Sequence, residues 1–504
     1  MLNPVIGGFH PDPSLCVVGG DIYLVCSSFA YFPGVPIWHS RDLVHWRLLG
    51  NILARASQLP LAGSGMGGGI WAPTLRHHAG RFHLVTTNME HGGNFLVHAQ
   101  DPAGPWSDPV MIDAQGWDPS LCWDADGTCY YTRADDGQRL LQAVIDPLSG
   151  KLQGSLRDIW HGFSGCGVEA PHLYHIGEWW YLVAAEGFGA NRLHLATVGR
   201  SRSPWGPFEN CPGNPILSQR DRTSHPIQGS GHGDLVQTAD GRWWMSYLGL
   251  RNFGGMGGDL HALGRESFLA PVTWRDGWPV VQPPELELPD PGLPAHAWPS
   301  PAARDDFDAP TLAPIWISRN GPPLASLSER PGFLRLHGCA AGLDDAGPLA
   351  FVARRQEHPY CRSACRIETA PGPMGTSPEQ EVGLTLFLDR RWHFDCAIRA
   401  AGDGREVVVR RCVDDFREES ARAALPPGPV DIEVLGNPWA CLFTVRVDGV
   451  SVLRHKVGAR FLTTSLAAAF TGLVHGVYAV GAQADVDWFE HRAWRGPTSE
   501  MPAY

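Results

Sequence analysis

A chain of 504 residues is too long for one hydrophobic core, so two domains, or one large domain with an appendage, are expected. A net charge of −12 argues against nucleic acid or an anionic membrane as the main partner. The only lysines, Lys151 and Lys456, both lie near turn-like sequence, which argues against Schiff-base chemistry.

The 59 glycines and 43 prolines point to many short strands joined by tight turns. The first residues, MLNPVIGGF, have neither the basic nor the apolar stretch of a secretory leader, and no apolar run approaches the length of a membrane span. Twelve cysteines are scattered without a CxxC pair, which reads as reduced thiols and a cytoplasmic location.

Along the first 280 residues, five short segments share one phase: HPDPSL (10–15), WAPTL (71–75), WDPSL (117–121), EAPHL (169–173) and GHGDL (231–235). Each precedes a turn signal and a run rich in aromatic and β-branched residues: DIYLVCSS, GRFHLVTT, GTCYYTR, GEWWYLVAAE and GRWWMSYLG. The leucines at 15, 75, 121, 173 and 235 are spaced by 60, 46, 52 and 62 residues, the length of a four-stranded antiparallel blade with its loops. Five copies predict a five-bladed β-propeller over 1–285.

A proline-rich stretch, QPPELELPDPGLPAHAWPSPAAR, then reads as a linker over 286–304. Alternating runs follow, among them EVGLTLFLD, EVVVRRCV, VDIEVLG and LFTVRVDGV, and they predict an antiparallel β-sandwich over 305–504.

Propeller geometry brings equivalent positions of successive blades to one axis. Three residues before each leucine stand Asp12, Ala72, Asp118, Ala170 and His232, and one place earlier stand Trp71 and Glu169 in their blades. Two carboxyl groups in different protonation states, with a third nearby to raise the acid, are what hydrolysis of a glycosidic bond needs. An indole such as Trp71 offers a flat face to a sugar ring. Taken singly, these residues carry blander readings. Asp-Pro pairs are common in turns, His232 between glycines suits a hydrogen-bonded channel residue, and Trp46, Trp106 and Trp205 suit blade core. The coincidence of phase sets the three carboxylates apart.

The runs NPVIGGFHPDPSL, FPGVPIWHSRDLVHW, GIWAPTL, WDPSL, EAPHLYHIG, AAEG, GHGDLVQT, LGRESFLAPVTW and DGWPVV resemble glycoside hydrolase family 43, in the β-xylosidase branch that carries a C-terminal β-sandwich. The likeness runs in the family's order from residue 3 to about 496. It implies an all-β chain, a five-bladed propeller followed by a concanavalin-like sandwich. It also implies Asp12 as general base, Glu169 as general acid and Asp118 as the residue that orients the acid and tunes its pKa. Phe29 and Trp71 would wall the sugar subsite. Arg265 would contact the carboxylates and a sugar hydroxyl, and His232 would line the axis, where in some members the histidine helps hold a calcium ion through waters. No cofactor is implied for the chemistry itself.

The resemblance further implies inversion, with the carboxyls roughly 6.5–9.5 Å apart to admit a water. In that branch the sandwich closes one end of the cleft, which implies exo action releasing xylose from the non-reducing ends of β-1,4-xylo-oligosaccharides, and it offers a surface for a homo-oligomer. An α-L-arabinofuranosidase or bifunctional enzyme is the alternative, and a noncatalytic sugar-binding propeller stands further off. The HGFSGCGVEAP and RNFGGMGGDLHALG segments depart from the family's pattern and leave the sugar preference open.

Overall fold

The structure is a computed structural model, and it describes residues 1–189, 192–253, 260–369, 380–499 and 501. The described residues are almost entirely strands and turns, with a single short helix, Thr464–Ala467. They form two compact units. The first comprises Met1–Pro60, Gly68–Asn252 and Arg265–Trp298; the second comprises Leu61–Gly67, Phe253–Gly264 and Pro299–Tyr504.

Five antiparallel sheets follow one another in the first unit. Their first strands are Ser14–Val18, Thr74–His78, Trp117–Trp123, Glu169–Ile176 and Ile227–Gln237. Each pairs with the aromatic and β-branched run after its turn: Asp21–Val25, Arg81–Asn88, Cys129–Ala134, Trp179–Glu186 and Trp243–Arg251. Consecutive first strands are neighbours in space, and the fifth returns to touch the first.

The repeated leucines explain why the sheets stack. Leu15, Leu75, Leu121, Leu173 and Leu235 are all at most 4% exposed. Four of them enter separate apolar layers: Leu121 joins Val85 and Tyr131, Leu173 joins Tyr130 and Trp180, Leu235 joins Tyr181 and Tyr247, and Leu15 joins Leu24 and Trp244. Burial of each is worth roughly 1.5–3 kcal/mol.

The start of the chain is sewn to the fifth sheet. Asn3 donates its side-chain N–H groups to the carbonyls of Leu269 and Glu285, each at 2.9 Å. Part of the proline-rich segment belongs to this unit as well: the Leu288 N–H donates to the Met1 carbonyl at 2.9 Å, and the His296 N–H donates to Asp42 at 2.7 Å.

The second unit is built on two antiparallel sheets, one around Tyr360–Thr369 and Gln483–Trp494, the other around Glu381–Asp389 and Trp392–Ala401. One continuous core lies between them, including Leu384, Leu386, Phe394, Val407, Ile432, Val434, Phe443 and Phe489. Val430–Gly436 shows the alternation that the sequence predicts, with Val430, Ile432 and Val434 buried and the residues between them partly exposed.

Candidate active site

The shared phase of the repeat corresponds to a backbone device. Asp12, Asp118, Ala170 and His232, each three residues before its leucine, all have φ between +51° and +55°. In the third, fourth and fifth sheets this position is a β-bulge. Trp117 and Ser120 lie opposite Ala134 and Thr132, Glu169 and His172 opposite Ala185 and Val183, and Gly231 and Asp234 opposite Leu248 and Ser246. The first strand thus carries one residue more than its partner in each case. Such bulges bend the strand and re-aim its side chains, and non-glycine residues in left-handed conformation gather at functional sites.

Asp12 is 4% exposed. Its Oδ1 takes a 2.8 Å hydrogen bond from the Arg265 guanidinium, its Oδ2 takes one of 2.5 Å from the Ser27 hydroxyl, and His232 Nδ1 lies 3.6 Å from Oδ1. Burial alone would raise its pKa, but Arg265, His232 and Ser27 together hold it below the ordinary aspartate range. Among the described residues no arginine or lysine is in contact with Glu169. Burial pushes its carboxyl up to about 7; Asp12 adds to the rise, while the Gly189 N–H, Arg265 and the nearby Trp117 indole oppose it. Asp118 accepts the Ala170 backbone N–H at 3.1 Å, and burial, Glu169 and Asp12 all raise it. Like charges in one buried space resist joint ionisation, so the site holds one carboxyl kept ionised and another kept protonated near neutral pH.

Aromatic rings line the same place. Phe29, itself at φ +49°, exchanges backbone hydrogen bonds of 2.8 and 3.1 Å with Ile70, which sets Phe29 beside Trp71 at a centroid distance of 6.3 Å. Trp71 in turn stands 6.5 Å from Trp117. The Arg265 guanidinium lies over the Phe29 ring at 5.4 Å. Asp12, Asp118, Glu169, Arg265 and His232 are thereby linked through contacts and mutual electrostatics, and Phe29 and Trp71 join them through Arg265.

Several residues outside the sequence expectation support this arrangement. Trp117 extends the aromatic wall. Glu186 of the AAEG run is fully buried and accepts the backbone N–H groups of Phe163 and Ser164 at 2.7 Å, the Thr197 hydroxyl at 2.8 Å and the Ser164 hydroxyl. It fixes the glycine-rich approach to Glu169. Gly167 there has φ +64°, and a Cβ would stand 2.6 Å from the Phe188 ring. Of the RNFGGMGGDLHALG segment, residues 254–259 lie outside the described residues.

Deeper in the same unit, Asp234 is fully buried and accepts five hydrogen bonds: two from Arg76 at 2.9 and 3.0 Å, and one each from the Ser14 hydroxyl, the Leu15 N–H and the Tyr174 hydroxyl. Arg76 also donates to His172 Nδ1 at 3.1 Å. The signal was present in the repeat: the residue before each leucine is Ser14, Thr74, Ser120, His172 or Asp234, polar every time and at most 3% exposed.

Comparison with known proteins decides which chemistry this site serves. The profile described as glycosyl hydrolases family 43 matches residues 1–279, more than half of the chain. The chain belongs to glycosyl hydrolase family 43. A second profile, the β-xylosidase C-terminal concanavalin A-like domain, matches residues 304–492. Among curated relatives, a non-reducing end α-L-arabinofuranosidase of Bacteroides ovatus is 39% identical, with 97% of this chain and 94% of the relative covered. A xylosidase/arabinosidase of Butyrivibrio fibrisolvens is 36% identical, with 95% of each covered. The solved xylan β-1,4-xylosidase of Bacillus halodurans superposes with a TM-score of 0.91 at 31% identity, over 98% of this chain and all of that one. As a family 43 member the protein is a glycoside hydrolase that inverts configuration, and enzymes of this family act without a cofactor.

Proposed function

We propose that the protein is an exo-acting enzyme that releases single xylose units from the non-reducing ends of β-1,4-xylo-oligosaccharides. The observation that carries the reading is the split between the carboxyls: Asp12 is held ionised beside Arg265, whereas Glu169 is raised to about 7 by burial. Glu169 then protonates the leaving oxygen as the glycosidic bond breaks, and Asp12 takes a proton from the attacking water. Asp118 tunes and orients the acid, bonded to the backbone of Ala170, the residue after it. Phe29 and Trp71 wall the sugar, while Arg265 and His232 bind its hydroxyls.

Exo action and the pentose are supported by the relatives named for non-reducing-end arabinofuranosidase and β-xylosidase activity. An α-L-arabinofuranoside is the second reading, favoured by that same Bacteroides ovatus relative. Turnover of aryl β-D-xylopyranoside against aryl α-L-arabinofuranoside separates the two. A higher kcat/KM on the xyloside is expected, and a higher one on the arabinofuranoside would replace xylose with arabinose in the reading.

The five sheets with their contiguous first strands support a five-bladed propeller over 1–285, with a connecting segment over 286–304 and a sandwich over 305–504. A cytoplasmic location is supported by twelve cysteines scattered without a CxxC pair. Calcium at His232, held through waters, rests on the resemblance alone: the Asp12 oxygens are engaged by Arg265 and Ser27 and the Asp234 oxygens by five donors, so an ion there would meet His232 rather than a cage of carboxylates.

Arg265 gives the base a test of its own. Removing the guanidinium in Arg265→Gln is expected to raise the Asp12 pKa, because it takes away the largest of the influences that hold the carboxyl low. A base must be ionised to act, so the acidic limb of kcat/KM moves to higher pH in the variant. An unmoved limb would take Asp12 out of the role of base.

A further inference from the structure

His194 lies outside every repeated motif, immediately before the strand Leu195–Ser201. The residue is 1% exposed, and neither ring nitrogen has a hydrogen-bond partner among the described residues. A buried polar group left unpaired costs free energy and calls for a reason. The packing around it is close: a Cβ on Gly231 would stand 2.2 Å from the ring. Burial above all, with the His232 ring and the Arg265 guanidinium acting in the same direction, drives its pKa down to about 3, so the ring is neutral, with one N–H and one lone pair. Asp12 and Arg220 are the other charged groups that act on it.

Its Nδ1 lies 4.0 Å from Glu169 Oε1, the same oxygen that accepts the Gly189 backbone N–H at 3.3 Å. We propose that His194 is a positioning residue for Glu169: its Nδ1–H and the Gly189 N–H together hold Oε1 as the carbonyl oxygen, so that Oε2 carries the proton given to the leaving group. The inference rests on the reading of Glu169 as the acid. The gap is about 1 Å longer than a hydrogen bond, and catalytic hydrogen bonds in unliganded sites often close only when substrate is seated. A neutral imidazole orients the carboxyl without adding a positive charge that would ionise it.

The test compares kcat on an unactivated disaccharide with kcat on a dinitrophenyl glycoside, whose leaving group departs without a proton. His194→Ala is expected to lose on the order of 10–100-fold on the disaccharide and less than roughly 3-fold on the dinitrophenyl substrate. His194→Asn, whose amide N–H reaches the place of Nδ1–H, is expected to recover most of the loss. His194→Gln, which keeps the polar group but extends it toward the place of Nε2, is expected to follow alanine. Equal losses on both substrates in the alanine and glutamine variants, no loss at all, or no recovery with asparagine would overturn the proposal. Glu169→Gln is run alongside. If it shows the strong substrate dependence and the His194 variants do not, the inference about His194 fails alone; if it shows none, the reading of Glu169 as acid fails first.

Discussion

Glu169→Gln is expected to lower kcat on a pentose disaccharide by a factor on the order of 10²–10⁴ while sparing much of the activity on an activated aryl glycoside. The amide keeps the shape of the side chain and loses the transferable proton, so the loss tracks how much protonation each leaving group needs. As the proposed acid Glu169 must be protonated, and its carboxyl is raised to about 7, so wild-type turnover is expected to fall as pH rises through that value. The residual aryl activity of the variant should lack this alkaline limb. An unshifted limb would assign the titration to another group, Asp118 first, since it is raised in the same buried space.

The same carboxyl ties stability to function. Its folded pKa is raised from 4.5 to about 7, so folding takes up a proton between those values. The stability it contributes is fully present below pH 4.5 and lost as pH rises through about 7, a decline of roughly 3 kcal/mol. Glutamine does not titrate. Wild type and variant should therefore melt with a nearly constant difference below pH 4.5, and the variant should gain on wild type from pH 5 to pH 8 in thermal denaturation.

How much of this was legible from the residues alone follows from where the information lies. The phase of Asp12, Asp118, Glu169 and His232 is written locally. In the third, fourth and fifth sheets the bulged first strand carries the same short pattern of proline or glycine followed by a buried leucine, and that pattern repeats along the chain. The tryptophans read as packing residues behave so: Trp106 is buried, and Trp46 and Trp205 pack on the apolar layers of the first and fourth sheets. His194 carried no such mark. It sits in no repeat, and its meaning comes from Glu169, 25 residues away, and from the close approach of Gly231. Trp117 was visible as part of WDPSL, yet its place beside Trp71 depends on two adjacent sheets meeting. Ser14 and Asp234 share the position before the leucine, but the bond of Tyr174 to Asp234, 60 residues on, leaves no spacing to read.

That last network yields the largest expected effect on stability. Asp234→Ala is expected to cost about 3–5 kcal/mol, because it leaves the Arg76 guanidinium, with 17% of its side chain exposed, without its counter-charge inside the unit. Four of the five first strands meet there: Ser14 and Leu15 from the first, Arg76 from the second, Tyr174 from the fourth and Asp234 itself from the fifth. The loss therefore loosens the sheets' common centre rather than one contact, and the thermal transition of the catalytic unit should fall by on the order of 10 °C. Asp234→Asn keeps the shape and one acceptor oxygen, so it should cost less. Burial would raise the Asp234 pKa, but Arg76 first, then His172 and the Tyr174 hydroxyl, hold it far below the ordinary carboxylate range. With its folded pKa depressed, the charge stabilises fully above the unfolded value near 4 and is lost as pH falls toward the folded one. The gap between wild type and Asp234→Asn should thus stay constant from pH 5 upward and narrow below about pH 4. An Asp234→Ala protein that melts with wild type would mean that water replaces the carboxylate at Arg76, and the five-donor cluster would then be a consequence of the ring of strands rather than one of its causes.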